Sequence, residues 1–186
     1  MLTYPNKPPE IEIAPFPIRI FGKIEHSFVD GRGVRYVIFT QGCPRDCPGC
    51  HNPGSHSPDG GTETTTDALW REIRGTRMIN GVTFSGGEPF MWARELALIG
   101  EAVRKSKMDV WTYTGYRYEE LLDMAAEDEA VRSLLTVTNV LVDGEFIKEK
   151  RDWNLRFRGS SNQRILDITC YPNSTDARIM EEMDDD

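Results

Sequence analysis

Val34-Arg35-Tyr36-Val37-Ile38-Phe39-Thr40-Gln41-Gly42-Cys43-Pro44-Arg45-Asp46-Cys47-Pro48-Gly49-Cys50 runs from a block of β-branched and aromatic residues into a proline- and glycine-rich loop carrying three cysteines. Branched and aromatic side chains suit a pleated, half-buried surface, so Val34 to Phe39 predicts a strand. The segment behind it, Gln41 to Gly61, is rich in turn formers. Working outward, the same alternation repeats. Thr66 to Arg74 predicts a helix, with Thr66 as N-cap, Leu69 and Ile73 on one face and Gly75 at the stop. Gly81-Val82-Thr83-Phe84 predicts a second strand. Trp92, Leu96, Ile99 and Val103 then recur at helical spacing and form a core stripe. Val110-Trp111-Thr112-Tyr113 is a third strand, Tyr118 to Leu135 one or two helices, and Val137 to Val142 a fourth strand.

Strands alternating with helices imply an α/β fold with a mostly parallel sheet and right-handed crossovers. In such sheets ligands gather at the carboxyl ends of the strands, where loops vary over a rigid frame. The unusual motifs fall there. The cysteines follow the first strand, Ser85-Gly86-Gly87-Glu88-Pro89 the second, Thr114-Gly115-Tyr116 the third and Asp143-Gly144-Glu145 the fourth. These four loops are expected to converge on one site.

A chain of 186 residues suits one domain with a real core. With 22 basic and 30 acidic side chains the net charge is -8, which argues against broad attraction to nucleic acid or to anionic membranes. There is no apolar run of the roughly 20 residues needed to cross a bilayer, and the start lacks signal-peptide character, so the reading is cytoplasmic. Residues 1–17 are expected to be an extended, proline-rich lead-in, residues 18–168 the domain, and residues 169–186 an acidic, flexible tail. Cys170 stands apart from the other cysteines and reads as a structural or incidental thiol.

Cys43, Cys47 and Cys50 form C-x3-C-x2-C. Three thiolates this close can hold three irons of a cubane, leaving a fourth iron open to chelate a small molecule. The bland alternative is a structural zinc held by the three cysteines and His51, although adjacent Cys50 and His51 leave no intervening residue to turn both side chains inward. Spacing alone leaves both open. Gly86 and Gly87 at a strand end would let backbone approach a ligand, or would simply make a tight turn with Glu88 capping the next helix. Ser85 and Glu88 could accept from an ammonium group.

Taken in order, these motifs resemble the radical S-adenosylmethionine superfamily. Asp30-Gly31-Arg32-Gly33, Trp111-Thr112-Tyr113-Thr114-Gly115-Tyr116, Asn139 to Phe146 and Arg158-Gly159-Ser160-Ser161-Asn162-Gln163-Arg164 narrow the resemblance to activating proteins of anaerobic ribonucleoside-triphosphate reductases, over most of residues 20–168. The resemblance implies a partial (β/α) barrel, here open and shortened because no clear helix and strand pair follows Phe146. It implies a 4Fe-4S cluster on Cys43, Cys47 and Cys50, and S-adenosylmethionine beside it. Gly49, Cys50 and His51 would lie along the adenosyl part, Ser85, Gly86, Gly87 and Glu88 at the methionyl amine, and Asp143, Gly144 and Glu145 on the nucleoside side or at the partner's entering loop. The implied chemistry is reductive cleavage of S-adenosylmethionine and formation of a glycyl radical on the reductase, with reduced flavodoxin or a similar donor supplying the electron. No side-chain acid or base is required. Activation of another glycyl-radical enzyme, of the pyruvate formate-lyase type, and a non-catalytic zinc module are the competing readings. The Arg158 to Arg164 run reads either as a polar edge loop or as a family-specific contact or sheet closure. Arg32 stands where relatives usually have proline.

Overall fold

The structure, a computed structural model, describes residues 10–180. Along the chain come β1 (Pro17–Ser27), β2 (Arg35–Thr40), β3 (Thr62–Thr65), α1 (Thr66–Gly75), β4 (Gly81–Gly86), α2 (Ala93–Lys105), β5 (Asp109–Tyr113), α3 (Tyr118–Glu127), α4 (Glu129–Val137), β6 (Val140–Asp143), β7 (Arg164–Asp167) and β8 (Arg178–Ile179). The strands form one sheet in the order β3-β1-β2-β4-β5-β6-β7-β8.

The α/β class stands, but the expectation of mostly parallel strands is corrected to a mixed sheet. The central pairs β2–β4, β4–β5 and β5–β6 are parallel. The flanking pairs β1–β2, β1–β3, β6–β7 and β7–β8 are antiparallel. The reason lies in the connections. A parallel pair needs a crossover long enough to carry the chain back, usually a helix, whereas a chain that simply turns round arrives antiparallel. α1, α2 and the α3–α4 pair supply the crossovers between central strands. Between β6 and β7 there is only a single 3-10 turn at Lys148–Lys150, so the chain returns antiparallel.

Alternation on the central strands divides the sheet into two faces. Tyr36 and Ile38 of β2, Val82 and Phe84 of β4, Val110 of β5 and Leu141 of β6 pack in one cluster with Leu69, Ile73, Leu96, Ile99, Val103, Leu121, Leu134 and Leu135 from the four helices. Each aliphatic side chain buried in this way stabilises the fold by about 1.5–3 kcal/mol. The opposite face carries a smaller cluster of Trp111, Val140, Val142 and Ile165, with Tyr113, Phe157 and Met180 against it. On that face, at the start of β2, the fully buried Arg35 pairs with Asp109 and donates to Val82 O at 2.7 Å and Thr83 Oγ1 at 3.1 Å. Burial lowers its pKa, partly offset by Asp109.

The strand and helix expectations hold within a few residues, with two local corrections. Thr66 is the first residue of α1 rather than its cap. Thr65 occupies the cap position, and the Thr66 hydroxyl accepts from Phe16 N at 3.0 Å and donates to Ala14 O, tying the lead-in to the helix. Val137 closes α4 instead of opening β6. Thr138 N bonds to Leu134 O and Leu135 O, and Asn139 Oδ1 then accepts from Val110 N at 2.9 Å. Residues 10–16 carry no regular secondary structure, while residues 1–9 and 181–186 of the expected lead-in and tail lie outside the described residues. Within the stretch expected to be a flexible tail, Arg178–Ile179 pairs with β7. No described helix is long and apolar enough to cross a membrane.

Candidate functional site

The loops after β2, β4, β5 and β6 border one cavity of about 890 Å³ on the face not covered by helices. Cys43, Cys47, Cys50, His51, Ser85, Gly86, Gly87 and Gly144 line it; Gly49, Glu88, Asp143 and Glu145 do not. All three cysteines are half-buried free thiols, whereas Cys170 is exposed on another segment.

The cysteine loop is shaped by polar contacts around Gln41, a fully buried residue whose Nε2 donates to Gly54 O at 3.0 Å and Ser57 O at 2.6 Å. Its carbonyl accepts from Trp92 Nε1 at 2.7 Å, anchoring the loop to the turn that precedes α2. Cys43 N donates to His56 O at 3.0 Å and Cys50 N to Cys47 O at 3.1 Å. Cys47 Sγ reaches Glu145 Oε1 at 3.5 Å, joining the first loop to the fourth. Burial raises the Cys43 thiol above its ordinary range. Burial, with Glu145 beside it, pushes Cys47 up to about 11. A metal that binds here must displace these protons, since the thiolate is the ligand.

The two glycines at the end of β4, Gly86 its last residue and Gly87 the next, are required by the protein itself. Gly86 has φ +99°, and a Cβ there would stand 2.5 Å from Thr40 N. A Cβ on Gly87 would stand 2.3 Å from Gly42 O. The missing side chains therefore let β4 close against the start of the cysteine loop, where Gly87 N donates to Thr40 O and Glu88 N to Gly42 O, each at 2.8 Å.

The carboxylates of Glu88 and Asp143 are both engaged by the protein itself. Glu88 is fully buried and turned into the protein. Its carboxylate accepts from Phe90 N at 3.0 Å, Thr114 Oγ1 at 2.9 Å and Gly115 N at 2.9 Å, tying the second loop to the third. Burial raises its pKa and these donors oppose that rise. Asp143, also buried, accepts from Tyr118 N at 2.8 Å and Arg164 Nε at 3.0 Å, tying the fourth loop to α3 and β7. Both carboxylates are taken by protein donors because a buried charge must be paired.

The Arg158 to Arg164 run braces the fourth loop. Gln163 Nε2 donates to Gly144 O at 3.0 Å while its Oε1 accepts from Gly159 N at 2.8 Å, and Asn162 Nδ2 donates to Glu145 O at 2.8 Å. The run thus ties the fourth loop to the start of β7. His51 packs its ring against Phe146, with centroids 5.3 Å apart, and partial burial and the charge of Arg151 lower its pKa. Among the described residues no group of three or more His, Cys, Asp and Glu could hold a single metal ion. Zinc would need its four ligands drawn to about 2.3 Å or less from one point, whereas a cubane takes each thiolate on a different iron.

Several lining residues were not singled out by the sequence. Phe39 shares a strand face with Arg35 and Val37, a signal that period-2 alternation carries. Tyr113 lines the cavity from the end of β5. Arg45 sets its guanidinium 4.4 Å from the Tyr116 ring centroid, 3.5 Å from Glu120 and 4.0 Å from Glu145, bridging three of the loops. No local pattern marks that bridge.

The 4Fe-4S single cluster domain family matches residues 29–166. The anaerobic ribonucleoside-triphosphate reductase-activating protein of Vibrio cholerae is 36% identical over 150 residues, covering 76% of this chain and 92% of that protein. Its namesake in Escherichia coli K12 is 33% identical, covering 75% and 92%. The one from enterobacteria phage T4 is 30% identical, covering 77% and 90%. The crystal structure of QueE from Escherichia coli matches with a TM-score of 0.41 and 18% identity over 54% of this chain and 52% of that one, a likeness too loose to build on.

Proposed function

The chain belongs to the 4Fe-4S single cluster domain family, among the anaerobic ribonucleoside-triphosphate reductase-activating proteins, and from that premise we propose that it is the enzyme that installs a glycyl radical on such a reductase. The observation that carries the reading is the convergence of three thiols and the Ser85-Gly86-Gly87 strand end on one cavity. The donor set fits a cluster with one open iron: three soft ligands, half-buried, with no fourth cysteine among the cavity-lining residues.

In this reading Cys43, Cys47 and Cys50 hold a 4Fe-4S cluster, and S-adenosylmethionine lies in the same cavity. Bound there, the cluster supplies the electron for reductive cleavage of S-adenosylmethionine to methionine and a 5'-deoxyadenosyl radical, which takes hydrogen from a glycine of the reductase. The chain's own residues place and shield. Gly86 and Gly87 bring backbone to the methionyl end. Cys50 and His51 border the adenosyl part, with Gly49 leading into them from outside the cavity. Glu88 and Asp143 act one layer back, fixing the loops that carry Gly115 and Gly144, and Glu145 stands between Cys47 and the partner's side. The radical S-adenosylmethionine domain spans residues 18–168 as an open partial barrel, the setting is the cytoplasm, and reduced flavodoxin or a similar protein is the donor.

The test is anaerobic reconstitution with iron and sulfide, followed by dithionite, S-adenosylmethionine and the reductase, monitored by electron paramagnetic resonance. A glycyl doublet that disappears with Cys43→Ser, Cys47→Ser or Cys50→Ser is expected. 5'-Deoxyadenosine without a doublet would sink the partner, and a colourless, zinc-containing protein would sink the cluster.

A further inference from the structure

Arg45 is the middle residue of the three between Cys43 and Cys47, so the chain itself holds it within two residues of both thiols. It lines the cavity with them. Its guanidinium stacks 4.4 Å from the Tyr116 ring centroid, and the third loop leaves room for it, since a Cβ on Gly115 would stand 2.4 Å from Arg45 Cδ. Two carboxylates approach, Glu120 at 3.5 Å and Glu145 at 4.0 Å, both farther than the roughly 2.7–3.2 Å of an N–H···O bond. Those acids are 52% and 48% exposed and screened by water, whereas Arg45 is 21% exposed. A guanidinium does not lose its proton inside a protein, so the cysteine loop carries a permanent, largely desolvated positive charge. Glu145 is its opposite. One carboxylate oxygen stands 3.5 Å from Cys47 Sγ and the other faces Arg45, so charges of both signs flank the same thiol.

One electron entering a 4Fe-4S cluster makes the cluster and its thiolates more negative by one charge, with no proton taken up to balance it. A fixed cation nearby favours that reduced form and a fixed anion opposes it, since the charge around a cluster helps to set its potential. We infer that Arg45 raises the reduction potential of the cluster and Glu145 lowers it, so that this pair sets how readily the electron for S-adenosylmethionine cleavage is accepted. This rests on the reading that Cys43, Cys47 and Cys50 hold a 4Fe-4S cluster. The effect acts through space and needs neither side chain to touch iron.

Arg45→Gln, Arg45→Lys and Glu145→Gln are compared with the wild type after anaerobic reconstitution. Each is titrated with dithionite in the presence of redox mediators, without S-adenosylmethionine or reductase. Electron paramagnetic resonance counts the reduced cluster at each potential, and iron content is measured alongside. At the wild-type midpoint the reduced-to-oxidised ratio is expected to fall about three- to tenfold in Arg45→Gln and to rise about as much in Glu145→Gln, the scale of one partly screened charge; tenfold is about 59 mV for a one-electron couple. Arg45→Lys keeps the charge without the planar fork and is expected within about twofold of the wild type. Iron content is expected to be equal throughout. An unmoved midpoint in Arg45→Gln or Glu145→Gln, or shifts of the same sign in both, would overturn the inference. So would an equal fall in Arg45→Lys or a lower iron content in Arg45→Gln, because either would make Arg45 a latch on loop shape rather than a charge. A wild type that takes up zinc and no iron would sink the cluster reading itself, which the wild-type arm reports alone.

Discussion

Glu88→Gln changes one atom of a fully buried side chain and should destabilise the protein far more than its near-identical shape suggests. Three donors and no acceptor face the carboxylate: Phe90 N, Thr114 Oγ1 and Gly115 N, all within 3.0 Å. Thr114 Oγ1 itself accepts from Tyr116 N at 3.1 Å, so its proton is directed at Glu88. An amide keeps one oxygen, which can serve Phe90 N and Thr114, but sets an NH₂ against Gly115 N. The charge-assisted bond to Gly115 is lost, at about 1.5–3 kcal/mol, and the half-buried Gly115 N–H is left without that partner, at about 1 kcal/mol, the low end of the penalty for an unmade bond. Local relaxation recovers part of the sum, and about 3 kcal/mol remains. For a domain of this size each kcal/mol moves the melting temperature by about 2–4 °C, so a drop of about 6–12 °C is expected in calorimetry of the metal-free protein. A drop under about 2 °C would refute the reasoning, because a protonated Glu88 presents one donor and one acceptor and glutamine would replace it at little cost.

Gly87→Ala places a Cβ 2.3 Å from Gly42 O, backbone against backbone, and is expected to cost at least about 3 kcal/mol in urea unfolding, the upper end of overpacking. Arg164→Ala leaves Asp143, 1% exposed, without its cation; breaking a buried pair costs about 3–5 kcal/mol, and with Arg164 26% exposed about 2–4 kcal/mol is expected in the same assay. Glu119 is held down to about 2, chiefly by its hydrogen bonds to Arg164. A depressed carboxyl stabilises the fold above its unfolded pKa of about 4.5 and loses that contribution as pH falls toward about 2. Glu119→Gln should therefore flatten the fall in melting temperature across that window and leave an acid-side profile with less slope; an unchanged slope would show that the Arg164 contact does not hold in solution.

The central strands were legible because β2, β4 and β5 are short apolar runs bounded by turn formers, and the helices because α2 repeats Leu96, Ile99 and Val103 on one side. The placement of the motifs at strand ends followed from that alternation alone. The four antiparallel edge pairings did not. β8 is two residues long and β7 four, too short for any period to declare itself, and β1 buries only Ile18, Ile20 and Ser27 of its eleven residues. Residue type and spacing marked Cys43, Cys47 and Cys50 as a metal-binding set, while spacing alone left a cluster and a zinc both open. What each carboxylate does was decided only in three dimensions. Glu88 meets Gly115 across 27 positions and Asp143 meets Arg164 across 21, distances at which local sequence says nothing about direction. Their burial, and the donors that burial demands, make the two carboxylates braces between the loops around the cavity.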